Sequence, residues 1–226
     1  MRATVNGLVA IALLAALSPS GASAQNPPAP PPAPAASPAH THVGHVMDGF
    51  RGTPNGAGLL TTTLAEAKIV AEHAALAAKD PANLDAMKQH AAHVLHAIDP
   101  TLAEGGPGQG YGLKKAADGA ATHIDLAAKS EGASQNVKTH ASHITASVRN
   151  TAQRADQLAA LAKRIQEASS AAEAASLVSV LNALAQQLMA GTDINGDGRI
   201  GWQEAEGGLQ QAEQHMGLLK KGEGMS

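Results

Sequence analysis

The chain has 226 residues, a formal net charge of -3 and no cysteine, which excludes disulfides, thiolate metal sites and C-x-x-C-H haem attachment. No long basic run is present, so a nucleic-acid partner is not expected. Hydrophobic residues make up 44% of the chain but aromatics only 1%, a repertoire of Ala, Leu, Val and Ile that suits closely packed helices far better than a β-sandwich.

The chain opens with Met1-Arg2, a compact apolar run over 8–17 and Ala22-Ser23-Ala24, an A-x-A pattern before Gln25. This order predicts a cleaved secretory signal peptide over 1–24. The apolar run is too short for a good membrane span, so no stable membrane insertion is expected after cleavage. A periplasmic or secreted bacterial protein is the expectation. Residues 25–57 read as a disordered Pro/Ala-rich linker, extended and polyproline-like over 26–38. The linker carries His40, His42 and His45, a cluster able to chelate copper, nickel or zinc in an open chain.

Four helices are predicted over 58–168, in an Ala-rich antiparallel bundle with short Gly- and Pro-containing connections. The first runs over 59–79, with Leu59, Glu66, Ile69, His73 and Leu76 on one stripe and Thr61, Thr62 and Thr63 as candidate caps. His73 there is read as a boundary histidine, with Glu66 as a candidate partner. The second runs over 82–98 on a seam of Leu84, Met87, Ala91, Val94 and Ile98. His90, His93 and His96 drift off that seam in i, i+3 steps, with His90 on its border and His93 and His96 roughly opposite it, so adjacent pairs can share an ion but all three cannot face one ion inside the bundle. A glycine-rich stretch over 105–112 is a flexible connection, with Lys114 and Lys115 behind it offering weak anion binding. The third helix, over 113–130, has Leu113, Ala117, Ala120, Ile124 and Ala127 on its seam, with His123 beside them. The fourth, over 134–168, has Val137, Ala141, Ile144, Val148, Thr151, Ala155, Leu158 and Ile165. His140 and His143 lie at its border as another i, i+3 pair. Every bundle helix thus carries a histidine near its packing face. His73, His90, His93, His123, His140 and His143 are candidate ligands for a transition metal or haem in the bundle, and a histidine-based metal or haem carrier is one functional expectation.

Residues 169–226 are predicted as a separate helix-loop-helix. Between its helices stands Asp193-Ile194-Asn195-Gly196-Asp197-Gly198-Arg199-Ile200-Gly201-Trp202-Gln203-Glu204, matching D-x-[DN]-x-[DN]-G-x₅-E at every position. This stretch resembles the calcium loop of the EF-hand family. The resemblance implies calcium held by the side chains of Asp193, Asn195, Asp197 and Glu204 and by the backbone carbonyl of Arg199, with water at the Gly201 position. No second loop is present, so either two chains pair through the unpaired hand, or Ile200 packs on the bundle, or the lone hand binds weakly. Gly207 and Gly208 are expected to weaken the second helix. The fold class expected is therefore all-α, a helical bundle with a single C-terminal EF-hand. No G-x-S-x-G, H-E-x-x-H or Glu-x-x-His motif is present, so a non-enzyme is expected. The leading functional expectation is an exported calcium-binding protein, with a histidine-based carrier or a non-catalytic envelope scaffold as alternatives.

Overall fold

The computed structural model describes residues 37–203 and 205–225. The predicted signal peptide, the linker's residues 25–36 and Glu204 lie outside them. Seven α-helices and no strand occur among the described residues: α1 (Pro38–Met47), α2 (Leu59–Ala77), α3 (Leu84–Ile98), α4 (Leu113–Lys129), α5 (Gln135–Glu167), α6 (Ala171–Ala190) and α7 (Leu209–Gly222). None of them is long and apolar enough to cross a membrane.

The helices start where short side chains can accept the free first-turn N–H groups. Ser37, Asn83, Ser134 and Ser170 cap α1, α3, α5 and α6 in this way. The threonines of α2 are not caps. Gly58 holds that position, and the Thr62 and Thr63 hydroxyls donate back to the carbonyls of Gly58 and Leu59 inside the helix.

The predicted seams of α4 and α5 are buried residue for residue, and that of α3 is buried apart from the half-exposed Leu84. The face of α2 is rotated from the expected stripe. Leu59 and Glu66 of that stripe are buried, but Thr63, Ala67, Val70, Ala74 and Ala77 complete the buried face, while Ile69 and Leu76 are only half-buried. Small residues are what permit this, because alanine and threonine let neighbouring helices approach closely. Gly119 of α4 lies close to α2, since a Cβ there would stand 2.9 Å from Leu59 Cδ2.

Two expected boundaries change. Residues 38–47, expected as part of a disordered linker, form α1, which buries Ala39, Val43 and Val46 against α4. Residues 169–226, expected as a separate domain, share the core of the bundle. Val178, Leu181 and Leu188 of α6 and Leu209, Ala212, Met216 and Leu219 of α7 are buried with the residues of α2 to α5. The 33-residue α5 is the central element and packs against α3, α4, α6 and α7.

The glycine-rich connection is tied down by Glu66. Its Oε1 accepts N–H bonds from Gln109, Tyr111 and Gly112 at 3.1, 3.4 and 3.2 Å. Glu66 therefore serves this loop and the start of α4, and it is not the partner of His73.

Candidate metal centres

Nine of the eleven histidines gather in three separate groups of three. They do not converge on one interior site, as a bundle of four helices had suggested. The first group is His42 and His45 of α1 with His123 of α4. The second is His90 and His93 of α3 with His73 of α2. The third is His140 and His143 of α5 with His215 of α7. Each joins an i, i+3 pair on one helix to a single histidine on a neighbour that packs against it.

Local burial explains how these rings come to the helix borders. Each of the nine histidines immediately precedes a fully buried core residue: Val43, Val46, Ala74, Ala91, Val94, Ile124, Ala141, Ile144 and Met216. One position back from the core face of a helix lies its flank, so all nine rings are half-buried between helices.

In every group the Nδ1 atoms point at one another. His123 Nδ1 lies 3.0 Å from that of His42 and 3.3 Å from that of His45. His73 Nδ1 lies 3.1 Å from that of His90 and 3.2 Å from that of His93. His215 Nδ1 lies 3.1 Å from that of His140 and 3.3 Å from that of His143. Two nitrogens bound tetrahedrally at about 2.05 Å to one ion stand roughly 3.3 Å apart. The observed spacings are close to that value. Without an ion the same arrangement is poorly satisfied, because the central Nδ1 has either one proton to give or one lone pair to offer, and two nitrogens approach it.

The two remaining histidines are occupied elsewhere. His40 Nε2 meets the Glu223 carboxylate at 2.9 Å, and His96 Nδ1 meets the Ala103 carbonyl at 2.9 Å. Of the pairs foreseen on α3, His90/His93 forms and His93/His96 does not.

The electrostatics favour the neutral, ligating form. Burial, and then the neighbouring histidines, holds His42, His73, His93, His123 and His143 below the ordinary imidazole value. Burial, followed by His143 and His140, pushes His215 down to about 4. A neutral imidazole keeps the lone pair a metal needs. The linkage has a definite sign. Between the lowered folded values and 6.5 the unfolded chain binds more protons, so stability is fully present above pH 6.5 and falls as pH drops below it. In metal-free protein with a chelator, the thermal midpoint should therefore be flat above pH 7 and decline from pH 6.5 toward 4. His215→Asn should flatten part of that decline, which melts across the pH range would show.

Aromatic neighbours differ among the centres. Phe50 lies edge-on to His45 and His123, with ring centroids 5.5 and 4.9 Å apart. Trp202 stacks on His143 at 3.9 Å between centroids and 18° between planes. The stack exists because the segment before α7 is fastened to α5. Asn150 donates to the Gln203 carbonyl and accepts from Ala205 N–H, and Arg154 donates to the carbonyls of Ala205, Glu206 and Gly207. Gly207 and Gly208 precede α7 and do not interrupt it. A Cβ on Gly207 would meet Ser147 Oγ at 2.5 Å, so the close approach to α5 requires glycine there.

In the 193–204 loop, Asp193 accepts from Gly196 and Gly198 N–H, Asn195 from Asp197 N–H, and Asp197 from Arg199 N–H, at 2.8–2.9 Å. Ile200 lies against Gly191 at the end of α6, and α7 begins only at Leu209.

His42, His45 and His215 complete the centres, and the residue order carries a signal for them. The pairs read His42-x-x-His45-Val46, His90-x-x-His93-Val94 and His140-x-x-His143-Ile144. The single histidines read His73-x-x-Leu76-x-x-Lys79, His123-x-x-Leu126-x-x-Lys129 and His215-x-x-Leu218-x-x-Lys221. Pair and single alternate along the chain through α1, α2, α3, α4, α5 and α7, with α6 standing between the last two. His73 precedes His90 by 17 residues, and His123 precedes His140 by the same 17. The chain thus carries the pair pattern three times and the single-histidine pattern three times. No family model, curated protein or solved structure matches the chain.

Proposed function

We propose that this chain is a transition-metal-binding protein that holds three ions, one in each trio of histidines. The observation that carries the reading is the convergence of three Nδ1 atoms, at 3.0–3.3 Å, at three separate places built from one repeated pattern. An all-imidazole donor set suits Zn²⁺, Cu²⁺, Ni²⁺ or Co²⁺. Haem fits less well, because its two axial ligands approach from opposite faces of a flat ring, whereas these nitrogens crowd around a single point. The experiment is metal titration and elemental analysis of protein purified without a polyhistidine tag. Three equivalents are expected for the parent chain, and two for each of His73→Ala, His123→Ala and His215→Ala. Less than one equivalent, or an unchanged count in the variants, would refute the reading.

A second reading concerns the 193–204 loop, which we propose takes calcium. Supporting it are the inward turns that Asp193, Asn195 and Asp197 make on the loop's own N–H groups, since these set the backbone curl that a calcium loop needs. Calorimetry decides it: a calcium heat should vanish in Asp193→Ala and shrink in Glu204→Gln. The leader over 1–24 supports export, and mature protein beginning at Gln25 would establish it.

A further inference from the structure

Each trio offers an ion three nitrogens. No Asp, Glu or further His joins any of the three groups among the described residues, and the chain has no cysteine. Ions of this type bind at least four donors, so one position is left for a ligand from outside. All nine rings are half-buried, which leaves that position a route to solvent. The outer nitrogens add a second observation. His40 Nε2 is bound to Glu223, but none of the nine trio histidines has a protein hydrogen-bond partner on Nε2 among the described residues. In sites built to retain a metal, that second nitrogen is held by a carboxylate or a carbonyl, and losing such a partner weakens binding by about 10–100-fold.

We infer that the fourth coordination position of each centre admits a nitrogen or sulfur donor of a chelating acceptor, so that the protein passes its ions on by ligand exchange. This rests on the three-histidine reading above. The incoming donor gives an electron pair to the ion and displaces a bound water. As further donors of the acceptor add, the metal–Nδ1 bonds break in turn. Each imidazole keeps its pair, which a proton from solvent can then occupy. The ion leaves in the oxidation state in which it was bound, and no reductant or oxidant is required. The absence of outer-nitrogen anchors lets the rings turn away as their bonds break, and the half-buried setting gives the acceptor its approach.

The test uses the full chain loaded with zinc and the chromogenic chelator 4-(2-pyridylazo)resorcinol as acceptor, followed by stopped-flow absorbance. Doubling the chelator should double the transfer rate. The same chain loaded with cobalt should shift its visible absorption when azide is added, as an external donor takes the open position. The rate law decides: a transfer rate independent of chelator concentration overturns the inference while leaving the three-ion reading intact. A chain that binds neither zinc nor cobalt overturns both.

Discussion

Saturating zinc should raise the unfolding midpoint of the chelator-treated chain by at least 10 °C. An ion that binds only the folded state stabilises it by RT ln(1 + [L]/Kd), about 4 kcal/mol at a thousand times Kd for one site. For a body of this size each kcal/mol moves the midpoint by roughly 2–4 °C. One filled centre is therefore worth about 8–16 °C, and three act together. The centres should not contribute equally. His42 and His123 are 81 residues apart, and His140 and His215 are 75 apart, so an unfolded chain cannot assemble either site cheaply. His73 and His90 are only 17 apart, and the unfolded chain can still chelate with that segment. Binding to the unfolded state subtracts from the gain. Removing His123 or His215 should thus reduce the zinc-induced shift more than removing His73. Differential scanning calorimetry with zinc and with EDTA measures all four proteins. Equal midpoints in the two conditions would rule out metal as a stabilising ligand, and a larger loss for His73→Ala would refute the ranking.

That ranking rests on which helices face each other, and this was the least legible part of the chain. Val137, Ile144, Val148 and Leu158 declare the face of α5 because large apolar residues recur at helical spacing. In α2 the large residues Ile69 and Leu76 mislead, since beyond its first turns the contact face is made of Thr63, Ala67, Val70 and Ala74. In α1 the signal was present but short. Ser37 and Pro38 begin a helix, and Ala39, Val43 and Val46 share a face, yet the preceding Pro/Ala tract placed this segment with the disordered linker. The i, i+3 pairs of α3 and α5 were visible, with His90, His140 and His143 at or near a helix border. His93, however, was expected roughly opposite the seam and His42 and His45 in an open chain, whereas all three are half-buried between helices. The partners of the pairs were not visible, because α1 meets α4 and α5 meets α7 across long stretches of chain, and periodicity within a helix carries no information about its height against a distant one. His215 was hidden for that reason, and only its H-x-x-L-x-x-K context, shared with His73 and His123, marks it. The glycines before α7 were legible as helix breakers but not as contact points, since only the packed structure shows Ser147 beside Gly207.

Arg154→Ala should cost about 3 kcal/mol of stability and should weaken the third centre selectively. The side chain of Arg154 is only 5% exposed, and burial holds its guanidinium below the ordinary arginine value. Such a group is retained where its donors meet several acceptors at once. Arg154 donates to Gly207 O at 2.7 Å, to Glu206 O at 3.0 Å and to Ala205 O. Alanine leaves the Gly207 and Ala205 carbonyls without that donor, while the Glu206 carbonyl keeps the Thr192 N–H at 2.9 Å. A buried unpaired carbonyl costs about 1–3 kcal/mol, and water entering the vacated space recovers part of the sum. The consequence for the site follows from chain order. The segment 205–207 sits between Trp202, which stacks on His143, and α7, which carries His215. Loosening it releases both the ring that covers the third centre and the helix that brings its third ligand. The first and second centres lie on α1 to α4 and do not depend on that segment. Urea unfolding should show the stability loss. Zinc titration should show two ions bound as in the parent and a third bound at least tenfold more weakly, the order of loss typical when a ligand's support is removed. Copper quenching of Trp202, the chain's single tryptophan, should be strong in the parent and largely lost in the variant, while Arg51→Ala, on the connection between α1 and α2, leaves it unchanged. Three centres of undiminished affinity in Arg154→Ala would mean that α5 positions His140 and His143 without help from the 205–207 anchor, and that His215 is held by the packing of α7 alone.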